Sequence, residues 1–133
     1  MRMNDLVPEV FARDWVNAWN RCDLEAILAQ YADDVVFISP LAATLTGDPE
    51  VHGKVELRAY WTTALRSRSS PLQFSLESFV WDDENLVLLI VYVSTEQGRD
   101  IRKCELLSFR PNGLIHRGEA FVGAAITSAP RGE

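Results

Sequence analysis

Between Pro8 and Asn20, Phe11, Trp15, Ala18 and Trp19 recur at the spacing of one helical face, so two tryptophans share a stripe. Pro8 suits a first helical turn, where its missing N–H costs nothing. Asp23 offers a capping carboxylate to a second helix, whose apolar stripe Leu24, Ile27, Leu28 and Tyr31 ends at Ala32-Asp33-Asp34. Val35 to Ile38 is β-branched and aromatic and reads as a short strand, stopped at Ser39-Pro40 because proline cannot extend a ladder. Leu41 to Gly53 reads as a loop. A third helix then places Leu57, Tyr60, Trp61, Ala64 and Leu65 on one face and breaks at Ser69-Ser70-Pro71.

After Pro71 the pattern changes to strands: Leu72 to Trp81, Leu86 to Glu96, Ile101 to Phe109 and Leu114 to Gly123. Asp82-Asp83-Glu84-Asn85, Gln97-Gly98-Arg99-Asp100 and Arg110-Pro111-Asn112-Gly113 supply short turns, which predicts an antiparallel meander. The expected class is α+β, with three N-terminal helices packed on a strongly curved antiparallel sheet around a cone-shaped pocket. One domain spans residues 1–126, and Thr127 to Glu133 has too little apolar surface to be more than a flexible tail.

Composition narrows the function classes. The 133 residues are 47% hydrophobic, enough for one core, and the net charge of -6 repels nucleic-acid phosphates. Arg66-Ser67-Arg68 is too short to reverse that sign and suits a helix C-terminus. The longest apolar run, Leu86 to Val93, falls far below the roughly 20 residues of a membrane span. No signal-type apolar segment follows Met1, so the expected location is cytoplasmic. Cys22 and Cys104 lack partners at metal or disulfide-framework spacing, and neither a cofactor nor a metal is expected.

Four segments are familiar together: Asp23-Leu24-Glu25-Ala26-Ile27, Tyr31-Ala32-Asp33-Asp34-Val35, Ser39-Pro40, and His52-Gly53 before an aromatic-rich helix. From Val7 to Val122 the chain resembles the nuclear transport factor 2-like superfamily, nearest its ketosteroid isomerase and SnoaL-like branches. The resemblance implies a cystatin-like α+β roll, on which enzymes, transport adaptors and plain binding domains all occur. In the isomerases an aspartate general base ends the first strand before a proline; here that position is Ser39, whose hydroxyl is far too weak a base. The resemblance also places Trp15 at the oxyanion-hole tyrosine and Glu105 at the protonated acid. The cyclase His and Asp positions fall on Gly118 and Ala120.

Strand parity says which side chains share the pocket. If Glu105 faces inward, so do Lys103 and Leu107; Phe37, Ser39, Tyr92 and Ser94 follow on other strands, with His116, Gly118, Ala120 and Val122 on the last. Three arrangements of Glu105 stay open: a desolvated acid among Trp15, Tyr92, Ser39 and His116, an ion pair with Lys103 near the rim, or both side chains exposed on a strand. Asp33 and Asp34 fit a turn and capping role outside the cone. The expected ligand site comprises Trp15, Trp19, Tyr31, Phe37, Ser39, Tyr60, Trp61, Tyr92, Lys103 and His116, with Glu105 as the one catalytic candidate. The first reading is a domain binding a small, largely apolar molecule. The others are a lyase, isomerase or hydrolase using Glu105, and a dimerisation or interaction module with a filled cone. Val87, Leu89, Val91, Cys104 and Leu106 on the outer sheet face predict a homodimer.

Overall fold

The computed structural model describes residues 5–126. The expected tail, residues 127–133, lies outside them, as do residues 1–4. The elements run α1 (Pro8–Asn20), α2 (Leu24–Leu28), β1 (Tyr31–Ile38), α3 (Pro40–Thr46), β2 (Glu50–His52), α4 (Gly53–Arg66), β3 (Phe74–Asp82), β4 (Val87–Glu96), β5 (Arg99–Phe109) and β6 (Ile115–Ile126). The strands form one six-stranded sheet in the order β2-β1-β6-β5-β4-β3, and α1 and α4 pack against it. The class is α+β. No helix among the described residues is long and apolar enough to cross a membrane.

The antiparallel meander from β3 to β6 forms as the turn chemistry predicts. The sheet as a whole is mixed, because β1 returns to lie parallel to β6. Two further differences have local causes. The second helix stops at Leu28, and Tyr31 opens a strand by pairing with Ile115. Its ring remains fully buried, which is why it fitted the helical stripe equally well. The segment expected as a loop holds α3 and β2. Ser39 Oγ accepts from the N–H groups of Leu41 and Ala42, Pro40 sits in the first turn, and Gly47 ends α3 at φ 82°. Residues Glu50 to His52 then pair with Val36 to Ile38. Gly53, at φ 85°, turns the chain directly from β2 into α4.

Register shifts set the sheet's inner face. The ladder between β3 and β4 slips between Leu76 and Ser78, so both Leu76 and Phe79 pack toward the core. On β4, Leu88, Ile90, Tyr92 and Ser94 are buried, while Val87, Leu89 and Val91 face outward and are half-buried. Outer-face neighbours form apolar rows across three strands: Val80, Leu89 and Leu106 in one, Val91, Cys104 and Phe121 in the next. Gly118 keeps the inner face narrow at one point, since a Cβ there would stand 3.1 Å from Phe37 Cδ1.

Candidate functional site

Helical spacing puts Trp15 and Trp19 on the buried face of α1, their rings 6.1 Å apart at 65°. Trp61, from α4, meets Trp19 edge-on at 5.0 Å and Phe37 of β1 at 5.2 Å. Tyr92 of β4 closes the other side, 5.3 Å from Trp15. These rings do not fill the space they surround. They line a cavity of about 510 Å³ together with Tyr60, Ser39, Lys103, Glu105 and Ala120, in the range of small-molecule sites. Exposed Leu41, Thr44 and Ser67 mark its open side.

Ser39 serves two elements. Its Oγ accepts from Leu41 and Ala42 backbone N–H groups at 3.2 and 3.4 Å and lies 3.0 Å from Tyr60 Oη. With both lone pairs so engaged, the serine proton is best placed to donate to Tyr60, which frees the tyrosine O–H for the cavity.

Glu105 is the one charged residue type buried in the core of the described chain, at 4% exposure. Parity along β5 turns it inward, opposite Ile90 and Ala120 on the flanking strands. No described group hydrogen bonds its carboxyl. Lys103, two residues away, donates to Glu96 instead, and Ser94 Oγ donates to the same carboxylate at 2.8 Å. The Lys103–Glu105 ion pair is therefore absent. Loss of water pushes the Glu105 pKa up to about 8, and the nearby Lys103 charge only partly offsets this. Burial, reinforced by Glu105, raises the phenols of Tyr31, Tyr60 and Tyr92, so all three stay protonated. Trp15 Nε1, Trp19 Nε1 and Tyr31 Oη are buried with no hydrogen-bond partner among the described residues. Orphaned donors of this kind are rare because each forfeits its hydration.

Trp15, Trp19, Phe37, Ser39, Tyr60, Trp61, Tyr92, Lys103 and Glu105 thus share one cavity. Tyr31 sits behind its wall, 5.3 Å from the Trp61 ring, and does not line it. His116 lies outside altogether. Ser108 pairs with Arg117 but Phe109 pairs with Ile115, so His116 is the extra residue of a bulge and the inward parity passes to Ile115. It stands near Asp34, whose carboxyl is held below its ordinary pKa mainly by a two-pronged ion pair with Arg110 at 2.8 and 2.9 Å. Asp33 and Asp34 lie in β1, not in a turn, and both are exposed.

Several cavity residues escaped the sequence reading. Glu96 follows inward Ser94 by two positions, so the same parity could have found it. Leu72 and Phe74 share a face with Leu76 by alternation in the expected strand and could have been found the same way, whereas Arg68 lies past a helix end, where periodicity gives no facing.

A family model for the SnoaL-like domain matches residues 12–118, most of the described chain. The chain belongs to the SnoaL-like domain family. A SnoaL-like protein of unknown function from Burkholderia thailandensis has the same fold, with 28% identity and a TM-score of 0.79 over 93% of this chain and 100% of that one. A protein with a cystatin-like fold from Methylobium petroleophilum is 21% identical, with a TM-score of 0.68 over 92% and 80% of the two chains. An NTF-2 like protein from Burkholderia xenovorans is 19% identical, with a TM-score of 0.68 over 93% and 91%. Among curated proteins no match is found. This SnoaL-like domain therefore shares its fold with proteins described as cystatin-like and as NTF-2 like.

The buried acid makes a stability prediction. Its folded pKa of about 8 exceeds the ordinary 4.5, so between these values the folded state keeps a proton that the unfolded state releases. Stability conferred by the neutral acid is complete below the lower value and is lost as pH rises toward the upper one. Glu105→Gln removes the titration. Its melting temperature relative to wild type should climb from pH 5 to pH 8 by about 5 °C per pH unit, corresponding to about 1.4 kcal/mol per unit. Parallel melting curves across that range would mean that Glu105 is solvated.

Proposed function

We propose that this domain binds a small, largely apolar, ring-bearing molecule carrying a carbonyl or hydroxyl oxygen. One observation carries the reading: an open aromatic cavity whose wall holds a buried carboxyl group with no hydrogen-bond partner among the described residues. The rings offer flat apolar surface, and the Glu105 O–H offers a buried donor, where hydrogen bonds to a ligand oxygen are stronger than in water. Tyr60 adds a second donor, and small Ala120, across the ladder from Glu105, leaves room for the ligand. Steroid isomerisation is not part of this reading, since Ser39 is committed to capping α3 and cannot act as the carbon-proton base. An open cone also weighs against a domain whose only task is to be filled.

A second reading follows from the same acid. With a pKa near 8, Glu105 would deliver and recover a proton close to neutral pH, as a general acid for a lyase, isomerase or hydrolase step, with the Tyr92 phenol beside it. His116 takes no part in this version, because the β6 bulge turns it away.

We further infer a homodimer through the outer sheet face. The rows Val80-Leu89-Leu106 and Val91-Cys104-Phe121 form a continuous apolar surface, with Val80 62% and Phe121 43% exposed. A second copy presents the same rows and covers them with like surface.

Binding is tested with 2-naphthamide, a neutral two-ring amide. Tryptophan emission of the wild type should change saturably on titration, and Ala120→Phe, which fills the cavity, should abolish the change while retaining the wild-type circular dichroism spectrum. No saturable change, or one that survives Ala120→Phe, contradicts the reading. For the dimer, light scattering at micromolar concentration should give twice the 15.0 kDa chain mass. Leu89→Glu, which puts a charge into the middle row, should return it to the monomer mass, whereas a monomeric wild type would refute the interface.

A further inference from the structure

The cavity has a second polar pole besides Glu105. Lys103 precedes Glu105 by two residues on β5, so both side chains point the same way, about 7 Å apart along the strand. The ammonium of Lys103 has three N–H donors and gives one to Glu96. Glu96 is itself held by Ser94, which is completely buried, so the ammonium is anchored from a fixed strand position. Arg68 lies just past the C-terminus of α4, lines the same wall, and is near enough for its charge to favour ionised Glu96. Its Nε donates to the Ser70 carbonyl at 3.3 Å, and no described group takes its terminal guanidinium N–H groups.

The charges on this wall are two cations against one carboxylate. Glu105, buried and held toward its neutral form, adds little negative charge at neutral pH. One positive charge is left over inside a chain whose net charge is -6. That excess is local and faces the cavity, so it selects for an anion where the rest of the surface repels one. It also sets the valence, since a single negative charge balances it and a phosphate dianion overshoots. A planar carboxylate matches the guanidinium fork and the free ammonium donors.

We propose that the ligand is an organic monocarboxylate, its acid group held by Lys103 and Arg68 and its apolar body carrying an oxygen acceptor that meets Glu105. This rests on the cavity being a small-molecule site and names the class of molecule it takes. Glu96 is then a competitor for Lys103 that the ligand carboxylate joins or displaces.

The test pairs 2-naphthoate with 2-naphthamide, which share a shape and differ by one charge, in calorimetric titrations at pH 7 and low salt. Wild type should bind the naphthoate at least about tenfold more tightly. Lys103→Met and Arg68→Gln should each remove most of that preference and leave naphthamide within about twofold, an effect that loss of packing would not confine to the anion. Glu96→Gln, which removes the competing carboxylate, should tighten naphthoate. Raising the salt concentration on wild type should weaken naphthoate alone, a readout that needs no variant to fold. Equal affinities for the two probes, or a preference that survives both cation substitutions, would overturn the proposal while leaving the cavity as a binding site. If neither probe binds, the cavity reading fails and this inference falls with it.

Discussion

Everything distinctive about this cavity depends on a carboxyl group that has lost its water and gained no hydrogen bond. Glu105 is held there by the backbone of β5, a central strand flanked by β4 and β6, so it cannot swing out without breaking two ladders. The charged and hydroxyl groups nearest to hand are committed elsewhere, Lys103 to Glu96 and Ser39 to α3 and Tyr60, and its ladder neighbours Ile90 and Ala120 are apolar. The cheapest state for a carboxyl so placed is neutral. A neutral acid at a buried position is a strong donor, and it is held toward the neutral form by its own burial among the rings and strands around it. The shell and the acid are therefore one device.

The sheet makes the device by small irregularities. A slip between β3 and β4 brings Leu76 and Phe79 to the same face, and another between β5 and β6 turns His116 out and Ile115 in. Bulges raise local twist and bend the strand, and helices α1 and α4 lie across the concave side. Ser39 shows how a position tied to proton chemistry in the isomerases is put to structural use here. Its oxygen caps a helix at the cavity's open side, and its hydroxyl lies 3.0 Å from the Tyr60 hydroxyl within it.

Much of this was legible in the sequence because alternation and helical spacing are strong signals over long elements. The meander, the inward set Phe37, Ser39, Tyr92 and Glu105, and the shared face of Trp15 and Trp19 all follow from a period of two or of 3.6. Parity failed where a bulge intervened, and His116 is the clearest case, since one extra residue reverses every facing beyond it. Tyr31 was misplaced for a different reason: a buried aromatic after Ile27 and Leu28 fits a helical stripe and a strand start alike. The segment after Ser39-Pro40 hid a helix, because seven residues are too few for periodicity to register and the decisive signals are the cap and the left-handed Gly47. No residue pattern could show whether Lys103 pairs with Glu105 or Glu96, because both lie on the same face of adjacent strands and only the rotamers decide.

The most direct measurement is carbon NMR of protein labelled at the glutamate side-chain carboxyls, compared between wild type and Glu105→Gln to assign one resonance. A protonated-acid shift at pH 7 that moves to the carboxylate position only around pH 8 is the expected result. A resonance already at the carboxylate position at pH 7, titrating near the ordinary 4.5, would contradict the neutral acid on which the cavity's chemistry rests.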